Sequence, residues 1–202
     1  MKKVLVLLFC AFLGTSLAVA QQPQSSRTPP LKPGGHVHTI SPAEQARDQD
    51  RISREVRHEL LMLPYFSVFD DLKYSVQDHT VTLLGDVRNA TLKDDAENAV
   101  KHIEGVEQVN NQIHVLPPSP NDDRIRRDVL RALVNTPGLD RYFWPVVPAI
   151  HIISDGGHVK LEGVVDSEGD KNLANIKANG VPGVFSVKND LVVANRKNVA
   201  KK

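Results

Sequence analysis

Cysteine is nearly absent from this chain, which has one, Cys10, in 202 residues. A single thiol excludes an internal disulfide framework and any zinc site built from cysteines, because both need several thiols. An excess of either charge is also missing, since 25 basic residues stand against 24 acidic ones. A chain without a large positive charge has no overall attraction to a polyanion, so the composition argues against a nucleic-acid-binding protein.

The common catalytic motifs are absent as well. The sequence contains no Gly-x-Ser-x-Gly, no glycine-rich loop of phosphate-binding spacing and no His-Glu-x-x-His. His36 and His38 lie one residue apart but have no third ligand nearby, which a metal site needs. Asp70 and Asp71 are adjacent, and on an extended segment they point to opposite sides. We predict a protein that is not an enzyme and needs no cofactor or metal, and we expect no polar pocket in which ionisable groups converge.

Long apolar runs are confined to the N-terminus. Two lysines precede an uninterrupted apolar run over residues 4–13, and the Ala-Val-Ala that ends at Ala20 has the small-x-small pattern that signal peptidases recognise. The run is too short for a permanent membrane anchor. We predict a signal peptide over residues 1–20, cleaved after Ala20, and an exported protein that is periplasmic in a source with two membranes.

The segment that follows, residues 21–47, is rich in glutamine, proline, serine, threonine and glycine and has almost no aliphatic spacing. Such a segment does not bury enough apolar area to offset its chain entropy. We predict a disordered, proline-rich leader.

The remainder of the chain repeats itself. The sequence Val-Thr-Leu-Leu-Gly-Asp-Val at 81–87 corresponds to Val-Lys-Leu-Glu-Gly-Val-Val at 159–165, and residues 105–113 correspond to 183–191, both at an offset of 78. The first apolar helix stripe repeats at an offset of 73, so the second copy carries about five extra residues between that helix and its sheet. The chain is therefore predicted to be a tandem duplication.

Each copy shows the same order of periodicities. Ile52, Val56 and Leu60 share one face of a helix, and Ile125, Val129 and Leu133 repeat that stripe. A hairpin, a second helix and a final strand over 106–115 or 184–193 follow. The helices must cover one sheet face to bury their stripes. The sequence predicts the α+β class: two tandem small α-β-β-α-β domains, each a separate core with two helices on a three-stranded sheet, joined by a short, stiff Pro-Pro-Ser-Pro linker at 117–120.

These repeats carry a family resemblance. The Val-x-Leu-x-Gly-x-Val exit of the hairpin and the Gly-Val-x-x-Val-x-Asn-x-Leu/Ile ending, each present twice, resemble the BON domain of bacterial envelope proteins over residues 48–116 and 121–194. The resemblance implies a non-enzymatic envelope protein that acts under envelope or osmotic stress, with phospholipid-surface binding in some members and chaperone-like assistance to exported proteins in others. The motif glycines are expected to serve backbone bends; they are Gly85, Gly105, Gly163 and Gly183.

Aromatic residues make up 5% of the chain, yet six of the eight that follow the signal peptide lie at one corner of the repeat, between the first helix and the hairpin. They are Tyr65, Phe66 and Phe69 in the first copy and Tyr142, Phe143 and Trp144 in the second. Either the rings close the open end of each core, or, with Arg141, they form an exposed contact for a membrane or a partner, because Tyr and Trp favour the headgroup zone.

Charge differs between the copies. Residues 50–116 carry a net charge of −5, residues 121–195 carry −1, and the basic tail, 195–202, carries +4. The first copy is therefore expected to avoid anionic membranes, and the tail to assist lipid contact without producing it. Three functions stay open: a module that contacts phospholipid membrane surfaces, a holdase-type chaperone for exported client proteins, and an envelope assembly adaptor. The oligomeric state is left open too.

Overall fold

The structure, a computed structural model, describes residues 41–194 as two α-β-β-α-β units, here called domain 1 and domain 2. Domain 1 consists of α1 (Pro42–Leu61), β1 (Asp71–Gln77), β2 (Thr80–Val87), α2 (Ala90–Lys101), β3 (Gln108–Asn111) and β4 (His114–Val115). Domain 2 consists of α3 (Pro120–Val134), a 3-10 turn (Asp140–Phe143), β5 (Ile150–Asp155), β6 (His158–Val165), α4 (Glu168–Asn179) and β7 (Ser186–Val193). The predicted class and element order are confirmed. The signal peptide, leader residues 21–40 and the tail lie outside the described residues.

Both sheets have the same strand order. In domain 1 the hairpin strands β1 and β2 pair antiparallel, and β3 and β4 pair parallel to the other side of β2. In domain 2, β5 pairs antiparallel with β6, and β7 pairs parallel with β6. The registers also correspond, since Leu72 lies opposite Gly85 and Ile150 opposite Gly163. The second hairpin strand is therefore central in each domain.

Each domain has its own hydrophobic core, as predicted. The core of domain 1 joins the buried stripes of α1 and α2 to the inward residues of β2: Ile52, Val56, Leu60, Leu92, Ala96 and Val100 with Val81, Leu83 and Val87. The core of domain 2 is built likewise from Ile125, Val129, Leu133, Ala174 and Ala178 with Ile150, Ile152, Val159, Leu161 and Val165. The helices of each domain thus cover one face of its sheet and leave the other face uncovered by helices.

Helix α1 begins earlier than the sequence predicts. It starts at Pro42, so residues 42–47, which we assigned to the disordered leader, are helical. The reason is a capping box, in which Ser41 Oγ accepts the Glu44 N–H at 3.3 Å and Glu44 Oε2 accepts the Ser41 N–H at 2.9 Å. Proline at the first helical position fits the same start, because its missing N–H has no partner there.

The final strand also differs from the prediction. Its regular pairing begins at Gln108 in domain 1 and at Ser186 in domain 2, two residues later than predicted, and in domain 1 it breaks between β3 and β4. At the break, Asn111 Oδ1 accepts the Ile113 N–H at 3.2 Å. Its Nδ2 donates to the Lys93 carbonyl of α2 at 3.0 Å. This asparagine therefore ties the edge of the sheet to the covering helix.

Two motif glycines are required by a close backbone approach. Gly85 and Gly163 have φ values of 123° and 127°. A Cβ atom at either position would lie 2.0 Å from a carbonyl oxygen, that of Asp71 or that of Ala149. Only glycine avoids both the clash and the unfavourable φ. The other two motif glycines also have positive φ, 88° at Gly105 and 93° at Gly183.

Candidate functional site

The aromatic loop of domain 1, residues 62–70, is shaped by a short polar turn. Ser67 donates to Asp70 Oδ2 from its backbone N at 3.1 Å and from its Oγ at 2.6 Å. Asp70 Oδ1 accepts the Arg88 N–H at 2.9 Å, which ties the loop to the end of β2. These bonds fix the directions in which the side chains of residues 66–69 leave the loop.

The apolar side chains of this loop reach domain 2. Val68 and Phe69 pack against the core of domain 2, and the Val68 carbonyl accepts the Ile152 N–H of β5 at 2.8 Å. Phe66 packs against the core of domain 1 and stacks on His151 of domain 2, with ring centroids 5.4 Å apart. Phe69 therefore fits neither interpretation that the sequence offered, because it covers the core of the neighbouring domain.

The corresponding loop of domain 2 anchors one of its rings in its own core. Tyr142 is buried, and its hydroxyl accepts the Asp166 N–H at 2.8 Å and donates to Asp170 Oδ2 at 3.0 Å. Burial, together with the Asp170 carboxylate, raises the pKa of the Tyr142 hydroxyl. The half-buried Phe143 packs on the same core. Tyr142 thus closes the core, and burial leaves its side chain no surface for an outside contact.

Arg141, which the sequence places in the contact set, is held by its own domain. Its guanidinium pairs with Asp170 at 2.9 Å and with Asp166 at 3.3 Å, and it lies 4.8 Å from the centroid of the Tyr142 ring. A hydrogen bond from Ser167 and the nearby Arg141 lower the pKa of Asp170. Arg141 therefore fixes the start of α4 against the loop.

The exposed part of the domain 2 loop follows these anchors. Trp144 is 75% exposed and Val146 is fully exposed. Tyr65 in the domain 1 loop is also exposed, at a φ of 70°. Of the seven residues that the sequence predicts as a contact, only Tyr65 and Trp144 present most of their ring to solvent. Trp144 to Val146 form the tip of the longer loop, here called the Trp144 tip.

Where the two domains meet, five charged side chains converge. We call them the interdomain charge cluster: Asp71, Lys73 and Asp86 of domain 1 with Lys160 and Glu162 of domain 2. Lys160 Nζ lies 2.6 Å from Asp86, 3.4 Å from Glu162 and 3.6 Å from Asp71. Lys73 Nζ lies 2.7 Å from Glu162 and 3.1 Å from Asp71. Asp71 and Glu162 are buried. Our expectation that ionisable groups do not converge was therefore wrong.

The ion pairs favour the charged forms of Asp86 and Lys160. Burial disfavours the charged form of Asp86, but the hydrogen bond and positive charge of Lys160 outweigh burial and lower the pKa of Asp86. Burial likewise acts to lower the pKa of Lys160, but the pairing with Asp86, Asp71 and Glu162 reverses this and raises it. Each carboxylate is thus paired with an ammonium group, and the cluster joins the two domains electrostatically.

The sequence held one weak signal for this cluster. Lys160 and Glu162 occupy outward positions of β6, where alternation predicts solvent-facing residues. Their outward orientation is correct, but domain 1 covers that face. The only hint of a contact between the domains was that these two charges have counterparts of opposite sign on β1 and β2. Periodicity does not show how the domains are arranged in space.

Within residues 41–194, no three His, Cys, Asp or Glu side chains come together in a way that suits a metal ion. None of the helices in this part of the chain is long and apolar enough to span a membrane. The leader histidines considered above as metal ligands, His36 and His38, lie outside the described residues.

Comparison with known proteins follows the same division of the chain. The BON domain matches residues 48–117 and 121–195. Osmotically-inducible protein Y of Escherichia coli (strain K12) is 29% identical over 129 residues, which are 60% of this chain and 61% of that protein, so the match spans less than two thirds of the relative.

Among solved structures, CdsD, described as a structural protein of the type III secretion system of Chlamydia trachomatis, matches at 12% identity and a TM-score of 0.28 over 72% of this chain and 94% of that one. A structure of the CdsD C-terminal domain matches at 12% identity and a TM-score of 0.25, over 70% of this chain and 96% of that one.

Proposed function

Because the chain belongs to the BON domain family and carries two copies of the domain, we propose that it is a non-enzymatic protein of the cell envelope that contacts phospholipid surfaces through the Trp144 tip. The name of the E. coli relative, which describes that protein as osmotically inducible, supports a role under osmotic stress. The exposure of Trp144 and Val146 on a loop anchored by buried Tyr142 is the observation that carries the proposal.

The chemistry of the tip suits the boundary between lipid and water. Tryptophan combines a large apolar ring with one N–H donor, a combination that favours the headgroup zone. Pro145 follows it and restricts the backbone, so less conformational freedom is lost on contact. The loop that carries the tip is also closed by a backbone hydrogen bond, in which the Ala149 N–H donates to the Tyr142 carbonyl at 2.8 Å.

The strength of such a contact is modest. Burying Trp144 and Val146 contributes about 2 kcal/mol each, which together corresponds to a dissociation constant of about 1 mM. The net charge of −5 on residues 50–116 opposes approach of domain 1 to an anionic surface, whereas residues 121–195 carry only −1. We therefore propose reversible contact through domain 2, strengthened by the basic tail or by a second molecule.

Flotation with vesicles tests this function. Protein expressed from the full chain is mixed with vesicles of phosphatidylethanolamine and phosphatidylglycerol and centrifuged through a density gradient. We expect part of the wild-type protein to float, and Trp144→Ala to reduce the floating fraction severalfold. The matched control is Phe185→Ala, because Phe185 is also 75% exposed in domain 2 but lies beside the hairpin turn.

The outcomes separate the alternatives. Equal flotation of the wild type and Trp144→Ala, or an equal loss in Phe185→Ala, contradicts lipid contact by the tip. Suppression of aggregation of an unfolded client in lipid-free buffer, unaffected by Trp144→Ala, supports the holdase-type chaperone instead. Co-purification of one stoichiometric protein partner without lipid supports the assembly adaptor.

We also propose that the chain is exported to the periplasm and loses residues 1–20. The lysine pair, the short apolar run and the small residues at Ala18 and Ala20 support this. Mass spectrometry of the protein from a periplasmic fraction is expected to give an N-terminus at Gln21. Recovery of the intact chain from the cytoplasm alone would contradict export.

A further inference from the structure

A cavity of about 400 Å³ lies between the C-terminal half of α1 and the free edge of β1, and His151 and Glu162 of domain 2 complete its wall. Four consecutive residues of β1, 71–74, line it. Side chains of a strand alternate between its two faces, so four residues in a row indicate that the edge of the strand borders the cavity. We call this cavity the β1 edge groove. The proposed lipid contact assigns no role to it.

The backbone N–H of Tyr74 points to this free edge. Gln77 and Thr80 flank the two-residue hairpin turn and form a hydrogen-bonded pair, so the odd-numbered residues of β1 bond to β2 and the Tyr74 N–H points away from β2. Within residues 41–194, no acceptor is hydrogen-bonded to this N–H. An extended segment that offers a carbonyl here would therefore pair with the edge of the sheet.

Domain 2 shows what occupies the matching place in the repeat. Ile152 of β5 corresponds to Tyr74 of β1 at the offset of 78. The Ile152 N–H is paired, because the Val68 carbonyl of the domain 1 loop accepts it at 2.8 Å. Val68 and Phe69 also pack against the core of domain 2. An apolar loop segment of the neighbouring domain thus covers the strand edge in domain 2, whereas the same edge of domain 1 is open.

The loop of domain 2 contains the counterpart of that apolar segment. At the offset of 78, Val146 and Val147 correspond to Val68 and Phe69. Val146 is fully exposed and Val147 is half-buried. The Trp144 tip therefore presents to solvent the segment that, in the other copy, pairs with a strand edge. Because Val146 is exposed, the groove that receives it must belong to a second molecule.

The ring contact between the domains has a counterpart as well. Phe66 stacks on His151 within the chain, and the residues that correspond to this pair are Trp144 and Lys73. The Lys73 side chain is 49% exposed although it pairs with two carboxylates. An ammonium group over a tryptophan ring forms a favourable cation–π contact.

Two members of the interdomain charge cluster have apolar counterparts. Asp86 and Glu162 correspond to Val164 and Leu84 at the offset of 78. Val164 is 51% exposed and Leu84 is 38% exposed. Where the contact within the chain needs lysines to pair with carboxylates, the equivalent contact between two molecules would bury two aliphatic side chains, which is favourable without any partner.

Net charge favours the same pairing. Residues 50–116 carry −5, and the basic tail carries +4. The tail follows Ala194, whose N–H donates to the Val165 carbonyl, and the adjacent Asp166 N–H donates to the Tyr142 hydroxyl. The chain therefore enters the tail from the end of domain 2 that carries the Trp144 tip, so the tip and a positive segment would approach the acidic domain 1 of a second molecule together.

We propose that the Trp144 tip of one molecule docks into the β1 edge groove of a second molecule of this chain. The Val146 carbonyl accepts the Tyr74 N–H, Val146 and Val147 enter the groove, and Trp144 covers Lys73. Each molecule has one tip and one groove, so the contact is head-to-tail and builds a closed ring or an open chain. It is small and forms only at high protein concentration. It needs no lipid, and because the tip is shared, a lipid surface competes with it.

Sedimentation velocity in lipid-free buffer tests the proposal, with protein expressed from the full chain at about 10 µM to about 1 mM. The sedimentation coefficient is expected to rise with concentration. Val146→Asp and Leu61→Asp, the latter at the groove rim, are each expected to weaken association about tenfold or more, because a charge enters an apolar contact. Their controls are Phe185→Asp, at the hairpin turn of domain 2, and Met62→Asp, outside the groove; these residues are 75% and 69% exposed.

Mixing the two defective variants tests the head-to-tail geometry. Val146→Asp retains its groove and Leu61→Asp retains its tip, so each alone is expected to remain monomeric, while an equimolar mixture forms a complex of two chains. When Val146→Asp is isotope-labelled, the Tyr74 amide resonance is expected to shift and its hydrogen exchange to slow as it gains an acceptor. A mixture that stays monomeric, or a Tyr74 amide that is unchanged in the complex, would overturn the proposal.

Other outcomes also decide against it. Monomers at every wild-type concentration would exclude the contact, and equal losses in each variant and its control would indicate unspecific association. A Tyr74 amide that responds to an unfolded client but not to a second copy would assign the groove to an extended segment of another protein. Flotation with vesicles is scored separately, so failure of this contact is distinguishable from failure of the lipid contact.

Discussion

The loop after the first helix has different surroundings in the two domains. In domain 1 it turns inward, where Val68 and Phe69 cover the core of domain 2. In domain 2 the loop is about five residues longer, and it buries Tyr142 but leaves Trp144 at the surface. Duplication therefore preserved the scaffold while the same corner became an internal contact in one copy and an exposed tip in the other.

The two domains also differ at the end that carries the hairpin turn. In domain 2 the buried Asp122 of α3 accepts hydrogen bonds from Ser154 Oγ at 2.7 Å and from the Gly157 N–H at 2.8 Å. In domain 1 the helix is joined to the sheet by the Tyr74 hydroxyl, which donates to the Ser53 carbonyl at 2.9 Å. A carboxylate thus joins helix and sheet in domain 2, whereas a neutral hydroxyl joins them in domain 1. The two domains should therefore respond differently to acid.

The largest expected effect tests what the domains share. Gly85→Ala and Gly163→Ala each place a Cβ 2.0 Å from a carbonyl oxygen at a positive φ. Each is expected to lower the free energy of unfolding by about 3 kcal/mol or more. Urea unfolding followed by circular dichroism measures the loss. Gly169→Ala, in α4, is the control, because a Cβ there would meet only Ser167 Oγ, at 3.5 Å. Equal stability of all three variants would disprove the shared constraint.

A smaller effect tests the difference in polar ties. Burial opposes the charge on Asp122, but hydrogen bonds from Ser119, Ser154 and two backbone N–H groups outweigh it and lower the pKa to about 2, from 3.8. Because the folded pKa is the lower one, the charged carboxylate stabilises the fold above about pH 4, and its contribution of about 2 kcal/mol disappears as the pH falls through about 2.

Asp122→Ala is accordingly expected to destabilise the protein by about 2 kcal/mol at neutral pH and by much less near pH 2. Urea unfolding at a series of pH values measures this. Gln49→Ala is the control, since Gln49 occupies the matching position in domain 1, and its loss is expected to be below about 0.5 kcal/mol at every pH. A pH-independent loss in Asp122→Ala would contradict the role of the charge.

The smallest effect tests the junction between the domains. Lys160→Met removes the lysine partner of Asp86, which keeps its contact with His114, and leaves the buried Asp71 and Glu162 with Lys73 alone. Because Lys160 is partly exposed, the expected loss is about 1 kcal/mol, and it should shrink as salt screens the pairs. Lys188→Met is the control, because Lys188 is mostly exposed and pairs with Asp190 inside domain 2. Unfolding in urea at low and high salt gives both values, and equal losses would contradict an interdomain role.

Much of the fold could be predicted because it depends on local patterns. The spacing of Ile52, Val56 and Leu60 places all three in a buried stripe, and the alternation of Val81 and Leu83 places both in the same core. The capping box at Ser41 was also readable, since serine followed by glutamate three residues later marks a helix start. Our prediction of a disordered leader was based on the proline-rich composition and did not use this signal.

The candidate sites were less predictable because they depend on packing between domains. Periodicity reports whether a side chain points inward or outward, but not what covers it. Phe69 was expected to close its own core or to form an exposed contact, and it covers the neighbouring core instead. Alternation along β6 places Lys160 outward but does not show that it joins two domains. Tyr142 and Trp144 are both aromatic and two residues apart, and periodicity did not show that Tyr142 is buried with its hydroxyl hydrogen-bonded while Trp144 is exposed.

Tryptophan fluorescence tests the central claim most directly, because Trp144 is the single tryptophan of the chain. In buffer its emission should be that of a ring exposed to water. With vesicles of phosphatidylethanolamine and phosphatidylglycerol, the account predicts a shift to shorter wavelength and quenching by lipids brominated near the headgroup. Vesicle-bound protein whose emission stays unshifted and unquenched would contradict contact through the Trp144 tip.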